Sequence, residues 1–520
     1  MKRYNKILTF LAAGALVLSS CSMDVKPTTA AAIDLEAGEH LFNNVDELQK
    51  FEAGLYSAFR STQYGQASTP MEVMCDGFNA TISYGNNYGS IHRTDNSFTP
   101  SDYEVEYLWQ INYQAIKDYN VFLDALEEYE PEDNTAQVYA ILSDAEAKFF
   151  RAYAYLTLVR AFAKPYRAGT NNLGVPLVLH YDQNALPARA TVGAVYTQIE
   201  KDLTDAISDL EMLNLTAAEI GTNMIVTIDA CNALLARVYL DKGQYQEAAQ
   251  KAASVIDGGA FELSSDDDMM QAEYRNDQGT EAIFQCYASL NENGSGTNSY
   301  YTNWTYSSSY ARYNGTGYYF QSYYLPTGKL MSLYETSDLR LSWWYTNYFR
   351  TGATTPLVNI GGLGYCTFDV FTKYYGNDAL TTSTPNARQA VKPLLLGEMY
   401  LIVAEAALAA NEPTIAKQYL NDLQAARGAT ETEATEENIH NEWFKETVGE
   451  GLRMSCLKRW NEGFEGRPAQ ARAATKVNSG ASFTGKSFPA SDYHWVWPIP
   501  SYEMVINPNL VQNPGYGAAN

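Results

Sequence analysis

The chain is 520 residues long, 46% hydrophobic and only 18% charged, so it can bury a large core and whole-chain disorder is excluded. Its 36 Lys+Arg against 60 Asp+Glu give a formal net charge of -24, which argues against nucleic acid as a partner, since any basic patch would work against the field of the whole molecule. The 40 Tyr, beside 8 Trp and 20 Phe, exceed what a core needs, and an exposed phenol presents an apolar face with a wet edge, so the surplus points to surfaces that touch something.

Residues 1–20 read as a signal peptide. Lys2, Arg3 and Lys6 precede an apolar run from Ile7 to Leu18 that is too short to span a bilayer, and Leu18-Ser19-Ser20-Cys21 resembles a bacterial lipobox. By that resemblance the peptide is cut before Cys21, which then carries lipid. Residues 21–39, with Pro27 and an Ala-rich stretch, read as a lipidated tether. No later stretch reaches the roughly 18 uninterrupted apolar residues of a spanning helix. The remaining cysteines, Cys75, Cys231, Cys286, Cys366 and Cys456, form no C-x-x-C pair. Zinc and thioredoxin-like readings therefore fail, and most of the five are expected as buried small hydrophobes; a disulfide between two of them is not assignable from spacing.

Residues 40–259 read as a helical scaffold. From about Val45, Leu48, Phe51, Leu55 and Phe59 recur at helical spacing. A loop rich in Gly, Asn and Tyr follows at 76–102, with Tyr84, Tyr88 and His92. Helical pattern returns at 103–128 and at 136–163, where Pro165 ends the run, and again at 191–210, opened by Thr191 as a cap. Residues 226–257 carry the small and aromatic residues of a tetratricopeptide-type hairpin, Ala236, Leu240, Gly243, Tyr245, Ala248 and Ala252. A second copy, Ala404, Leu408, Asn411, Ala416 and Leu420, lies about 168 residues on. Between the copies, residues 260–390 are rich in Gly, Ser, Thr, Asn and Tyr and read as a loop-rich subdomain inserted between helix pairs, with short extended runs such as Ala282-Ile283-Phe284. Residues 391–520 carry the second hairpin and a C-terminal segment.

Candidate chemistry is sparse. Gly480-Ala-Ser-Phe-Thr-Gly485-Lys486-Ser487 fits a phosphate-binding string, but no apolar strand precedes it and Phe488-Pro489 follow where a helix should run. The five histidines, His40, His92, His180, His440 and His494, are far apart, and neither H-E-x-x-H nor G-x-S-x-G occurs. Asp266-Asp267-Asp268 lacks the alternating ligands of a calcium loop and reads as a solvated turn. No metal or cofactor is nominated. The strongest feature is YYTNWTYSSSYARYNGTGYYFQSYY at 300–324, which holds nine of the 40 tyrosines in 25 residues. Aromatic faces among small polar residues suit sugars or peptides, and equally a protein interface. On composition, Trp304, Tyr306, Tyr310 and Tyr313, with Tyr84 and Tyr88 from the early loop, are the candidate ligand contacts.

The order of segments resembles the SusD/RagB family of Bacteroidetes nutrient-uptake outer-membrane lipoproteins. The resemblance rests on AEAKFFRAYAYLTLVRAFAKPY (145–166), RATVGAVYTQIEKDLTDAISDL (189–210), TEAIFQCY (280–287), SDLR (337–340), Ala426-Arg427-Gly428, ETVGEGLRMSCLKRW (446–460) and above all the closing WPIPSYEMVINPNLVQNPGY (497–516). It implies a mainly α fold, a tetratricopeptide-like helix-hairpin superhelix carrying an irregular loop-rich subdomain. It further implies a non-enzymatic lipoprotein, palmitate-bearing at Cys21, held at the cell outer membrane and facing the extracellular side. Such a protein lids a SusC-like TonB-dependent transporter and delivers glycan or, in the RagB branch, oligopeptide. Glycan is the favoured ligand, and a secreted hydrolase and a structural adaptor are the competing readings. After Cys21, Ser22-Met23-Asp24 has one acid where surface-exported relatives often show a pair.

Overall fold

The computed structural model describes residues 40–63, 65–290, 322–345, 368–374, 376–380 and 388–517, and the backbone of four short strands between them. Helix α1, Val45–Thr62, begins where the Asn44 side chain accepts a hydrogen bond from the Glu47 amide at 3.0 Å. Helix α2, Gly65–Val73, leads to strand β1, Phe78–Ala80. The long helices α3, Tyr103–Glu127, and α4, Asn134–Phe162, follow, and α1 packs its Leu48, Leu55 and Phe59 face against them. Asp133 caps α4 through the Thr135 and Ala136 amides. The helix stops at Phe162, and the restriction that Pro165 places on its predecessor keeps the chain extended from there. Strands β2, Leu173–Pro176, and β3, Arg189–Thr191, pair antiparallel before α5, Val192–Leu213, which Thr191 caps at the Ala194 amide and which lies along α4.

The two hairpins found in the sequence are both present. Helices α6, Ile228–Lys242, and α7, Tyr245–Asp257, turn at Gly243, whose φ of +73° is left-handed. Its amide donates to the Leu240 carbonyl and the next amide to that of Tyr239, which closes the helix end. Helix α8, Asp267–Arg275, follows. In the second hairpin, α9, Leu396–Ala409, and α10, Pro413–Ala426, Asn411 at φ +63° takes the glycine's part and Pro413 opens α10 at a position that needs no amide. Helix α7 packs against both α6 and α9, so hairpins far apart in sequence are neighbours in space.

The inserted region leaves and returns side by side. Strand β4, Ala282–Cys286, contains the run read as extended. Strands β5, Arg312–Tyr313, β6, Tyr318–Phe320, β7, Tyr324–Pro326, β8, Leu357–Asn359, β9, Tyr365–Cys366, and β10, Val391–Leu395, follow. β10 pairs antiparallel with β4, with Leu394 opposite Phe284. β5, β6, β8 and β9 form a sheet in that order, while β7 departs to pair with β1.

Helix α11, Glu436–Glu446, and helix α12, Arg453–Trp460, lead to the short hairpin of β11, Phe464–Glu465, and β12, Ser487–Phe488. The phosphate-binding string forms the turn of that hairpin: the Gly485 amide donates to the Gly480 carbonyl, Lys486 reaches the Thr94 carbonyl at 3.1 Å, and strand β12 stands where a nucleotide site needs a helix. Asp266-Asp267-Asp268 is not a free turn. Asp266 caps α8 at the Met269 amide and Asp267 accepts from the Trp343 indole at 2.8 Å. Cys75, Cys231, Cys286 and Cys456 are buried free thiols, and burial pushes the Cys286 thiol up to about 12. Among the described residues no helix is long and apolar enough to cross a membrane, and no group of His, Cys, Asp and Glu is arranged to hold a metal ion.

Candidate functional site

Three stretches far apart in sequence meet beside β1. The antiparallel pairing of β1 with β7 sets Ala80 opposite Tyr324, Asn79 opposite Leu325 and Phe78 opposite Pro326. The pairing continues past the strands, with the Thr81 amide on the Tyr323 carbonyl at 2.9 Å and the Thr81 hydroxyl on that of Ser322 at 2.8 Å. The end of the Tyr-rich segment is thus fastened to the early loop. The third stretch is the β11–β12 region: Asn478 bonds the Ala80 and Thr81 carbonyls, and Ile82 donates its amide to the Lys476 carbonyl.

An aromatic cluster forms at this junction. The Tyr84 ring meets Tyr324 edge-on with centroids 6.3 Å apart and Phe483 at 6.1 Å, and His92 meets Tyr324 at 5.2 Å. The Tyr324 hydroxyl donates to the Asn87 carbonyl at 2.5 Å. Burial, with Arg467 nearby, holds the His92 imidazole well below its ordinary range, so the ring is neutral. Since a carbonyl only accepts, its Nδ1 carries the proton given to the Val73 carbonyl at 2.6 Å.

The polar side of the junction centres on Arg93. Its guanidinium donates to Asp95 at 2.9 Å, to the Tyr84 hydroxyl at 2.9 Å, to Asn86 Oδ1 at 2.8 Å and to Ser97 at 3.1 Å. The backbone beneath is strained. Gly85, Asn86, Tyr88 and Thr94 all have positive φ, at +61°, +60°, +53° and +43°. Glycine and asparagine accept this readily, whereas a bulky and a β-branched residue there cost energy and persist only when surrounding contacts hold them. Arg467 fastens the chain on either side of this loop. It is fully buried and donates to the carbonyls of Met74, Cys75 and His92 at 2.6, 2.7 and 2.9 Å, and burial lowers its own pKa to about 10. The result is a preorganised rim in which exposed Ile82 and Asn86, half-buried Tyr84 and Arg93, and Asp95 present an aromatic edge and fixed donors and acceptors. Such a set can orient hydroxyl or amide edges of a ligand.

Of the residues nominated from composition, Tyr84 is in this rim. Tyr88 is not: it is 5% exposed, and its strained backbone turns the ring into the core, so no face is free for stacking. Trp304, Tyr306 and Tyr310 lie outside the described residues, and Tyr313 lies in β5 opposite Tyr318, with only its backbone described. Sequence reasoning missed Arg93, Asn86, Phe483 and the structural role of His92. Phe483 belongs to a stretch some 400 residues away, inside the phosphate-binding string, and no spacing rule links it to Tyr84. A separate cavity of about 50 Å3 opens near Tyr153, Arg237, Lys392 and Glu450. Its cations are already paired, Arg237 with Glu398 and Lys392 with Asp277.

Two family models match the chain. One, described as "Starch-binding associating with outer membrane", covers residues 23–240, and the other, described as "SusD family", covers residues 263–516. The chain belongs to the SusD/RagB family. Solved SusD-type structures share the fold. A SusD superfamily protein from Bacteroides thetaiotaomicron superposes with a TM-score of 0.74 at 24% identity, over 91% of this chain and 100% of that one. A SusD-like carbohydrate binding protein from Bacteroides vulgatus gives 0.69 at 17% identity, over 90% and 98%. A laminarin binding SusD-like protein gives 0.65 at 21%, over 91% and 100%. No curated protein sequence matches. In this SusD/RagB chain the motifs quoted above lock the inserted region to the helices. Arg340 of SDLR binds Asp338, Glu442 and Glu446, and Arg427 binds Glu281 and Glu446, all buried.

Proposed function

We propose that this chain is a non-catalytic, lipid-anchored binding protein of the outer membrane that captures glycan and passes it to a SusC-like TonB-dependent transporter. One observation carries the reading: the β1–β7 pairing fastens the end of the Tyr-rich segment to a strained, preorganised loop bearing Tyr84, Asn86 and Arg93. Aromatic edges beside fixed amide, carboxylate and guanidinium groups are the composition that sugar rings require, an apolar face to stack and hydroxyls to orient. The starch-binding description of one family model and the carbohydrate-binding names of two similar structures support the same ligand class. On this reading Cys21 carries the anchor, and Trp304, Tyr306, Tyr310 and Tyr313 add stacking surfaces to Tyr84.

Affinity electrophoresis and calorimetry against oligosaccharide and oligopeptide panels test the assignment. Retardation by polysaccharide and saturable heat with its oligosaccharides are expected. Binding of oligopeptides alone would transfer the protein to the RagB-like alternative. Silence with both panels, for the isolated protein and for its complex with the transporter, would remove the reading.

A further inference from the structure

Helix α4 stops at Phe162, and the carbonyls at its end have no amide to receive within the helix. The Arg160 carbonyl and that of Ala163, the residue that caps the helix, both accept from the Lys458 ammonium of α12, the second at 2.9 Å. A cation is drawn to such carbonyls by their partial charge as well as by hydrogen bonding. Lys458 is 8% exposed, and among the described residues no carboxylate is within ion-pair distance of it. Burial lowers its pKa to about 7, with Asp241 opposing the shift and Arg160 adding to it. An ammonium has three N–H groups, and the two carbonyls use two of them.

Lys458 lines a cavity of about 20 Å3 where the end of α4 meets α5, α6 and α12. The charged groups around it are Arg160, Lys164, Lys458 and Arg459 against Asp241 alone. Asp241 is already engaged: Arg160 donates to it at 2.7 Å and the Tyr196 hydroxyl at 3.1 Å, and Arg459 stands at 3.7 Å. Arg459 is held from outside the cavity by Glu405 at 2.8 Å. Lys164 is exposed, so the cavity is open to solvent on its side. In a chain of net charge -24, four cations around one carboxylate in a concave site are a local excess of positive charge. The ammonium at its floor lacks the counter-charge that a buried cation ordinarily finds.

We propose that this cleft binds a carboxylate, one oxygen of which takes the remaining N–H of Lys458 while Lys164 pairs with the group from the rim. Size and charge select the ligand together. The cavity has room for about one water-sized group, so a planar carboxylate inserts an oxygen and leaves the rest of its molecule outside, whereas a tetrahedral phosphate or sulfate is too bulky to enter. A charged ligand oxygen is preferred over water because it supplies the missing counter-charge in a desolvated site. None of these residues belongs to the β1–β7 junction, so the site stands apart from the glycan reading.

The test is calorimetric titration of the full chain with sodium acetate in chloride-free buffer at pH 8. Saturable binding with uptake of a proton is expected, read from the dependence of the heat on the ionisation enthalpy of the buffer, because an anion beside Lys458 raises a pKa that lies near 7 in its absence. Lys458→Met should weaken binding at least about tenfold. Lys164→Gln, at an exposed position that leaves the fold intact, should weaken it about threefold. Glucuronate and N-acetylalanine distinguish a sugar acid from a peptide terminus as the source of the carboxylate, and tighter binding of either than of acetate supports the site and names that source. Absence of saturable heat, binding without proton uptake, an unchanged affinity in Lys164→Gln, or tighter binding of inorganic phosphate than of acetate would each overturn the proposal.

Discussion

Arg427 has no exposed surface, and its guanidinium is held by Glu281, by Glu446 and by the Ser264 carbonyl at 2.8 Å. Glu446 is shared with Arg340. Burial alone would raise the Glu446 pKa, but Arg427 and then Arg340 draw it down to about 2. Removing one partner leaves the others charged and buried, so Arg427→Leu is expected to cost about 3–5 kcal/mol in urea unfolding. The partners stand in four of the strings that carry the family resemblance, TEAIFQCY, SDLR, Ala426-Arg427-Gly428 and the segment from Glu446. Their presence was legible in the sequence, but their pairing was not, because it depends on how α11 passes the inserted region. Tyr84 and Tyr88 make the same point at the site. Composition nominated both, and only backbone geometry separates a ring in the rim from one in the core. Tyr88→Ala is therefore expected to cost about 3–5 kcal/mol of stability, as for other buried aromatic truncations, whereas Tyr84→Ala acts mainly on ligand affinity.

Among the elements, α1, α3, α4, α5 and the two hairpins were legible from their apolar periods, and α5 also from its Thr191 cap, whereas the shorter α2, α8, α11 and α12 were not legible. The strands were not, apart from the run in β4. Strands of two to five residues hold too few positions for an alternating period, and β1 is buried on both faces and shows no alternation at all. The β1–β7 pairing that builds the site joins residues some 245 positions apart, so no local pattern could announce it. The hairpin turns give a sharper test of the helix scaffold. At Gly243 the φ of +73° is left-handed, and an added Cβ would also lie 3.3 Å from Arg167 Cδ. Gly243→Ala should cost about 1–2 kcal/mol in thermal unfolding. Asn411→Gly, at the same point of the second hairpin, should change stability by only a few tenths of a kcal/mol, roughly the difference between two residues that both tolerate this conformation.

On the scale of the whole molecule, two populations of buried carboxyls set the response to pH. Burial raises Glu72 and Glu450 to about 7 each, and burial together with their mutual repulsion raises the Glu52–Glu146 pair. These groups bind protons in the folded chain that the unfolded chain releases above about 4.5, so they add stability as pH falls from about 7.5 to 5. His92 and His440, both lowered by burial, oppose them below about 6.5, but they are two groups against four. Glu446 and Asp76 are lowered by their arginine partners against the pull of burial, and their contribution is complete above about 4.5 and is lost as pH falls further. The net charge of -24 adds repulsion that also eases with acid. Melting temperature should therefore peak near pH 5, fall gradually toward pH 8 and fall steeply below pH 4. A maximum above pH 7 in a calorimetric scan series would contradict this assignment.

The most direct test of the account is titration calorimetry of the wild type and Tyr84→Ala with an oligosaccharide that the wild type retains. Loss of one aromatic contact of about 1 kcal/mol predicts roughly fivefold weaker binding in the variant, with little change in melting temperature. Equal affinity of the two proteins for the glycan would contradict a binding site at the β1–β7 junction.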